Sequence, residues 1–164
     1  MDAMQFNADE IYEMAEDIEE HGFRFYETAR EAARDAGTRD LLARLADMER
    51  RHKATFARMR EELPERDRRA GTSLSPEEAE EKGAYLRTLA DSRVFGKAEA
   101  MALSGSQEGD LLDRALDLEK DTIVFLLELK EMVAPIRGKD DLDVIIREEL
   151  GHIRMINAWI RNVE

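Results

Sequence analysis

Two of the three histidines in this 164-residue chain follow a glutamate by three positions, in E-R-R-H (Glu49 to His52) and E-L-G-H (Glu149 to His152). On a helix, residues at i and i+3 share a face, so each pair can offer a carboxylate and an imidazole to one ion. A further glutamate stands 30 residues ahead of each pair, at Glu19 and Glu119. Sliding the chain by 100 positions superposes all six residues and brings Ala15 onto Ala115, Asp17 onto Asp117, Phe25 onto Phe125, Asp40 onto Asp140 and Leu42 onto Leu142. Four carboxylates balance two divalent cations, and two imidazoles complete a nitrogen and oxygen shell suited to Fe, Mn or Zn rather than to Ca or Mg.

The elements that must position these groups read as four long helices. Asn7 and Glu10 form a capping box, and Ile11, Ala15, Ile18, Gly22, Phe25 and Ala29 follow at helical spacing to about Ala33. Gly37 reads as a terminator and Thr38 as the N-cap of a second helix carrying Leu42, Leu45, Phe56, Met59 and Leu63 as far as Pro64. Residues 65–75 lack periodicity, and Ser75 with Pro76 opens a shorter helix anchored by Tyr85, Leu86, Leu89 and Phe95. A third long helix from near Ser106 carries Leu112, Ala115, Ile123, Leu126 and Val133 to Pro135. The fourth, from near Asp140, carries Leu142, Ile145, Ile146, Ile153, Ile156 and Ile160. The expected fold is all-α: two hairpins, about 7–63 and 106–162, joined by a crossover into one four-helix bundle domain over 1–164, in up-down-down-up order.

Each of the four acids falls on an apolar stripe. Unpaired carboxylates in an apolar interior cost several kcal/mol each, so a cation is expected among them. His21 points about 200° away from Glu19 on an ideal helix and is expected to face solvent. Met48, Met59, Met101 and Met155 read as core filling, Trp159 as packing or a dimer contact, and the arginines from Arg58 to Arg69 as a solvated helix end. A formal charge of −13 disfavours nucleic acid and anionic membranes, and no apolar run is long enough to span a bilayer. With no basic-then-apolar leader at the N-terminus, a cytoplasmic protein is expected; with no Cys, thiolate sites and disulfides are excluded.

At these residues the sequence resembles the ferritin-like superfamily, most closely rubrerythrin-family di-iron proteins without a rubredoxin domain. E-E-H-G-F-R-F-Y (Glu19 to Tyr26) is similar to that family's E-x-x-G-x-x-F-Y, and A-L-D-L-E-K-D-T-I-V-F-L (Ala115 to Leu126) to its counterpart on the third helix. One Glu from each of two helices plus Glu-x-x-His from each of the other two is the ligand pattern of di-iron and di-manganese bundles. The resemblance implies a ferritin-like fold, two Fe ions (Mn or Zn as substitutes), Glu19 and Glu119 as terminal ligands, Glu49 and Glu149 as bridging ones, and His52 and His152 each on one metal. It implies an oxidoreductase in which Fe²⁺ meets O₂ or hydrogen peroxide, with a separate electron donor because the chain has no Cys. The other reading is an iron-binding, storage or delivery module without a catalytic cycle. The chain departs from peroxide-reducing members at Leu116 and Thr122, which flank Glu119 where those carry a further carboxylate. Its second half has Leu126 in register with Tyr26. Because the fourth helix is the last element, a homodimer is expected over a many-subunit cage.

Overall fold

Asn7 opens the first helix as the spacing predicts. Its side chain accepts from the Glu10 amide at 2.9 Å while Glu10 accepts from the Asn7 amide at 3.0 Å, satisfying two amides that the first turn leaves open. The computed structural model describes residues 7–68, 77, 107–132 and 139–163. They form α1 (Ala8–Ala32), α2 (Ala36–Glu61), a single turn α3 (Glu65–Arg68), α4 (Glu108–Met132) and α5 (Lys139–Val163). Among the described residues there is no strand, and the four long helices make an all-α, ferritin-like bundle.

The break between the first two helices falls earlier than the sequence predicts. Ala33 leaves α1 with extended backbone, and Asp35, not Thr38, caps α2 by accepting from the Thr38 amide at 2.7 Å. A carboxylate is favoured there because it meets both the open amides and the positive end of the helix dipole. Gly37 is not a terminator but lies in the first turn of α2. Its missing side chain makes room for Trp159, since a Cβ there would stand 2.4 Å from the indole Cη2. The C-terminal end of α2 also differs from expectation. The helix stops at Glu61, and residues 65–68 are helical rather than irregular; Arg68 folds back to donate to the carbonyls of Arg60, Glu61 and Leu63. The helix expected from Ser75 and Pro76, and the core role of Met101, lie outside the described residues.

Contacts at one end fix the directions of the helices. Glu108, in the first turn of α4, accepts the amides of Arg34 and Asp35 in the α1–α2 connection. Trp159, near the end of α5, donates its indole N–H to Thr38 Oγ1 at 3.1 Å. The last turn of α1, the first turns of α2 and α4, and the end of α5 therefore gather together, which is up-down-down-up with α2 and α4 parallel. At the other end of the first hairpin, Arg60 of α2 reaches Asp9, Glu13 and Glu16 of α1 at 3.1, 3.3 and 3.6 Å, setting the register of the pair. The predicted stripes supply the core: Ile11, Ala15, Ile18 and Phe25 of α1, Leu42, Leu45 and Phe56 of α2, Ala115, Phe125 and Leu126 of α4, and Leu142, Ile145 and Ile156 of α5 are all buried.

Trp159 is the chain's only tryptophan and ties α5 to α2 through ring packing and one hydrogen bond to a fully buried hydroxyl. Trp159→Ala leaves a cavity over Gly37 and an unpaired Thr38, and is expected to lower stability by about 2–4 kcal/mol. Urea unfolding followed by circular dichroism measures this; a change below about 0.5 kcal/mol would place the indole outside the packing described here.

Candidate metal centre

All six residues singled out by spacing lie in the middle turns of the long helices and meet in one buried layer. Glu19 comes from α1, Glu49 and His52 from α2, Glu119 from α4, and Glu149 and His152 from α5, none more than 3% exposed. The regular stripe places them there: each lies a turn from residues whose burial drives the helices together, and the hairpins bring the two E-x-x-H segments face to face. Ligand atoms of Glu49, His52, Glu149 and His152 fall within 4.8 Å of one another. The imidazoles of His52 and His152 stack with centroids 5.2 Å apart and planes 12° from parallel.

Glu149 stands between the two rings, with Oε1 at 2.9 Å from His52 Nδ1 and Oε2 at 2.8 Å from His152 Nδ1. Glu19 approaches His52 Nδ1 at 3.3 Å; Glu119 and Glu49 approach His152 Nδ1 at 3.1 and 3.2 Å. These separations match the edge of a coordination polyhedron, because ligands at about 2.1 Å from one metal and at right angles to each other are about 3.0 Å apart. Hydrogen bonding accounts for few of the approaches. Both oxygens of Glu19 and of Glu149, Glu49 Oε1 and His52 Nδ1 are buried without an aligned partner among the described residues. Native interiors rarely leave so many polar atoms open. A donor set of four carboxylates and two imidazoles, converging with open lone pairs, fits a pair of divalent transition ions.

Electrostatics gives the same picture in protons. Burial pushes Glu19 well above the usual carboxylate range, reinforced by repulsion from Glu149 and Glu49. Burial and Glu149 raise Glu119 strongly, and Glu49 less so. Burial also opposes the charge on Glu149, but the adjacent His152 and His52 outweigh it and hold that carboxyl at about 2. For the imidazoles burial would favour the neutral form, yet Glu149 and Glu19 raise His52 to about 11, and Glu119, Glu149 and Glu49 raise His152 further. Protons thus supply the positive charge that the carboxylates require.

Three supporting residues escape a reading of spacing alone. Gly22 looks like one more small residue on the α1 stripe, but a Cβ there would stand 2.7 Å from Glu49 Oε2, so its absence admits the carboxylate. Tyr26, fully buried, donates its hydroxyl to Glu119 Oε1, and burial with the nearby Glu119 and Glu49 charges raises it well above its usual value. Glu148 takes the outer nitrogen of His52, with Oε2 at 2.8 Å from Nε2. Its register partner in the first half is Met48, so the repeat conceals it. His21 stays out of the cluster, with Nδ1 3.1 Å from the Asp17 carbonyl oxygen. Met59 is buried as expected, while Met48 and Met155 are half-buried beside the cluster.

The raised groups mean that the folded, metal-free protein keeps protons that the unfolded chain releases. For Glu19, Glu49 and Glu119 this begins above 4.5, and for His52 it runs from 6.5 to about 11. Glu149 has the opposite sense, its contribution being lost only as pH falls from 4.5 to about 2. Metal-free protein is therefore expected to melt at progressively lower temperature from about pH 5 to about pH 9, each retained proton contributing about 1.4 kcal/mol per pH unit, with a shallower slope in Glu19→Gln. Calorimetry in the presence of a chelator tests it, and a melting temperature that is flat or rises across that window contradicts it. Gly22→Ala gains about 1 kcal/mol of helix propensity yet displaces Glu49, so metal affinity should fall about tenfold or more while the metal-free fold persists. Paired melting curves and metal titrations separate the two effects.

No curated protein and no solved structure matches the chain. A family model does: residues 3–60 match the rubrerythrin family, over the hairpin that carries Glu19, Glu49 and His52. The second hairpin repeats that Glu and His spacing at Glu119, Glu149 and His152 and completes the bundle around it. The match covers less than half of the chain, and together with the bundle it marks a similarity to the rubrerythrin family.

Proposed function

We propose that the protein is a rubrerythrin-type di-iron oxidoreductase whose iron pair, held by Glu19, Glu49, His52, Glu119, Glu149 and His152, reacts with O₂ or hydrogen peroxide. The observation that carries this reading is the buried layer of four carboxylates and two imidazoles with oxygens left open. Iron bound there supplies the electrons that reduce the oxidant. Glu19, Glu49, His52, Glu119, Glu149 and His152 would hold the pair, with Glu149 turning one oxygen toward each imidazole and Glu19 and Glu119 standing beside His52 and His152. Glu119 takes its orientation from Tyr26, whose raised pKa keeps the proton on the phenol while the carboxylate accepts. Phe25, Phe125, Leu126 and Ile156, from the helices that carry the layer, are buried in the same core, whose apolar side chains keep bulk water out.

Electrons for repeated turnover come from a separate donor, since the chain has no Cys to form a second redox centre. Among the described residues no helix is long and apolar enough to cross a membrane. The reading takes the protein as cytoplasmic and homodimeric, with Mn or Zn able to replace Fe. A second reading, a non-catalytic iron-binding, storage or delivery module, is favoured by Leu116 and Thr122, the second of them buried, where peroxide-reducing relatives carry another carboxylate. Sustained peroxide consumption with added reductant marks an enzyme, and a single equivalent of reaction per site marks a binder.

Two iron ions per chain, found by metal analysis and by anomalous scattering at the iron edge, are the expected result. Loading at one hundred times Kd should stabilise the fold by about 2.7 kcal/mol for each ion bound, reversed by a chelator. Glu49→Ala and Glu149→Ala should each weaken Fe²⁺ binding about tenfold or more. Glu20→Ala should not, because Glu20 is engaged with Arg24 and Lys53 at the surface at 2.8 and 2.9 Å. Equal losses in all three variants would reduce the site to general acidity.

A further inference from the structure

A groove of roughly 470 Å³ runs between α2 and α5 and ends on His52, with Met48, Thr55, Glu148, Gly151 and Met155 among its walls. It lies at the one described edge where a cluster residue touches an exposed carboxylate. Glu148 is 51% exposed, whereas the side chains of His52, Glu19, Glu149, Glu49, Glu119 and His152 are at most 4% exposed. His52 is the partition: Nε2 faces outward to Glu148 at 2.8 Å, and Nδ1 faces inward to Glu149 at 2.9 Å and Glu19 at 3.3 Å. Carboxylates thus stand on both sides of a single imidazole ring. We infer that this groove is the route by which a divalent cation reaches the buried layer, with Glu148 as its outer landing point and His52 as the gate; the inference rests on the metal-centre reading above.

The chemistry of the groove suits such a passage. A hydrated cation must exchange water for protein ligands before it enters a dry interior, and a half-exposed carboxylate offers the first replacement oxygen. Arg51 also lines the groove, so its outer part combines a positive and a negative side chain while the inner side holds the carboxylates. An arriving cation takes the place of the protons those carboxylates hold, and the mouth, with one charge of each sign, does not trap it, which is what a conducting path requires. The half-buried Met48 and Met155 present soft, weakly hydrating walls that leave the ion to the oxygens. Gly151 keeps the floor open, since a Cβ there would meet nothing within 4 Å. A side chain added at 151 therefore starts from open space on the groove's lining.

The test loads metal-free protein with Fe²⁺ alone, under anaerobic conditions, and follows uptake by quenching with a chelator at intervals. Gly151→Phe should reach the wild-type stoichiometry about tenfold or more slowly, and Glu148→Gln should also load slowly and lose part of the salt dependence of its rate. Gly109→Phe places the same bulk in equally open space at the start of α4, away from the groove, and should load like wild type. Gly151→Leu serves as the smaller plug should the Phe variant melt below the wild type. Wild-type rates in both the 151 and the 148 variants, at unchanged stoichiometry, overturn the route while leaving the centre intact. A wild-type protein that takes up no Fe²⁺ at equilibrium overturns the centre itself, and the route with it.

Discussion

Four carboxylates in the interior of a helical bundle are stable only while positive charge stands among them, and the rest of this structure is arranged around that requirement. In a low-dielectric layer the repulsion among Glu19, Glu49, Glu119 and Glu149 cannot be screened by water, because none of them is more than 3% exposed. Two imidazoliums and shared protons meet the requirement at the cost of several retained protons; two divalent ions meet it with coordination bonds as well. Burial raises the free energy of every alternative that leaves the acids bare, so binding of metal is coupled to loss of protons. The fold stores that coupling as strongly displaced acidities rather than as a distorted backbone.

Such a layer forms only if four helices place their middle turns at one height, and contacts far from it impose this. Arg60 with Asp9, Glu13 and Glu16 sets one end of the first hairpin, and Glu108 with the Arg34 and Asp35 amides joins the second hairpin to its other end. Trp159 over Gly37 then fixes α5 against α2. Exposed ion pairs such as these are individually weak, and their value here lies in register more than in stability. A slide of one residue along α5 would turn Glu149 by about 100° away from His52, which no local rearrangement of side chains could repair.

Periodicity made much of this legible. The apolar stripes predicted the four long helices and the six residues of the central layer, because burial of a stripe and burial of the acids upon it are the same geometric fact, and the length of the crossover predicted the parallel middle pair. The capping box at Asn7 was readable because it is local. Features that depend on partners far along the chain were not. The role of Gly37 is set by Trp159, that of Gly22 by the path of Glu49, and that of Tyr26 by Glu119, 93 residues away. Thr38 resembles an N-cap on its own, and only the placement of Asp35 three residues earlier shows that the position was already filled.

The same repeat that exposed the six residues of the central layer hides how the two halves differ. Position for position, the first half has Gly22, Tyr26 and Met48 where the second has Thr122, Leu126 and Glu148. Gly22, Tyr26 and Glu148 each meet a different member of the central layer: Glu49, Glu119 and His52. Glu119 has a phenol to hold it, whereas Leu126 is apolar and cannot do the same in the register position of Tyr26. His52 has a carboxylate on its outer nitrogen, whereas His152 Nε2 is buried without a partner among the described residues. An imidazole that gives its second N–H to a carboxylate is a stronger donor through its other nitrogen. The surroundings of the two imidazoles therefore differ in hydrogen bonding. A duplicated scaffold whose six inner acids and imidazoles stay paired while the residues around them diverge makes two unlike surroundings from one spacing rule.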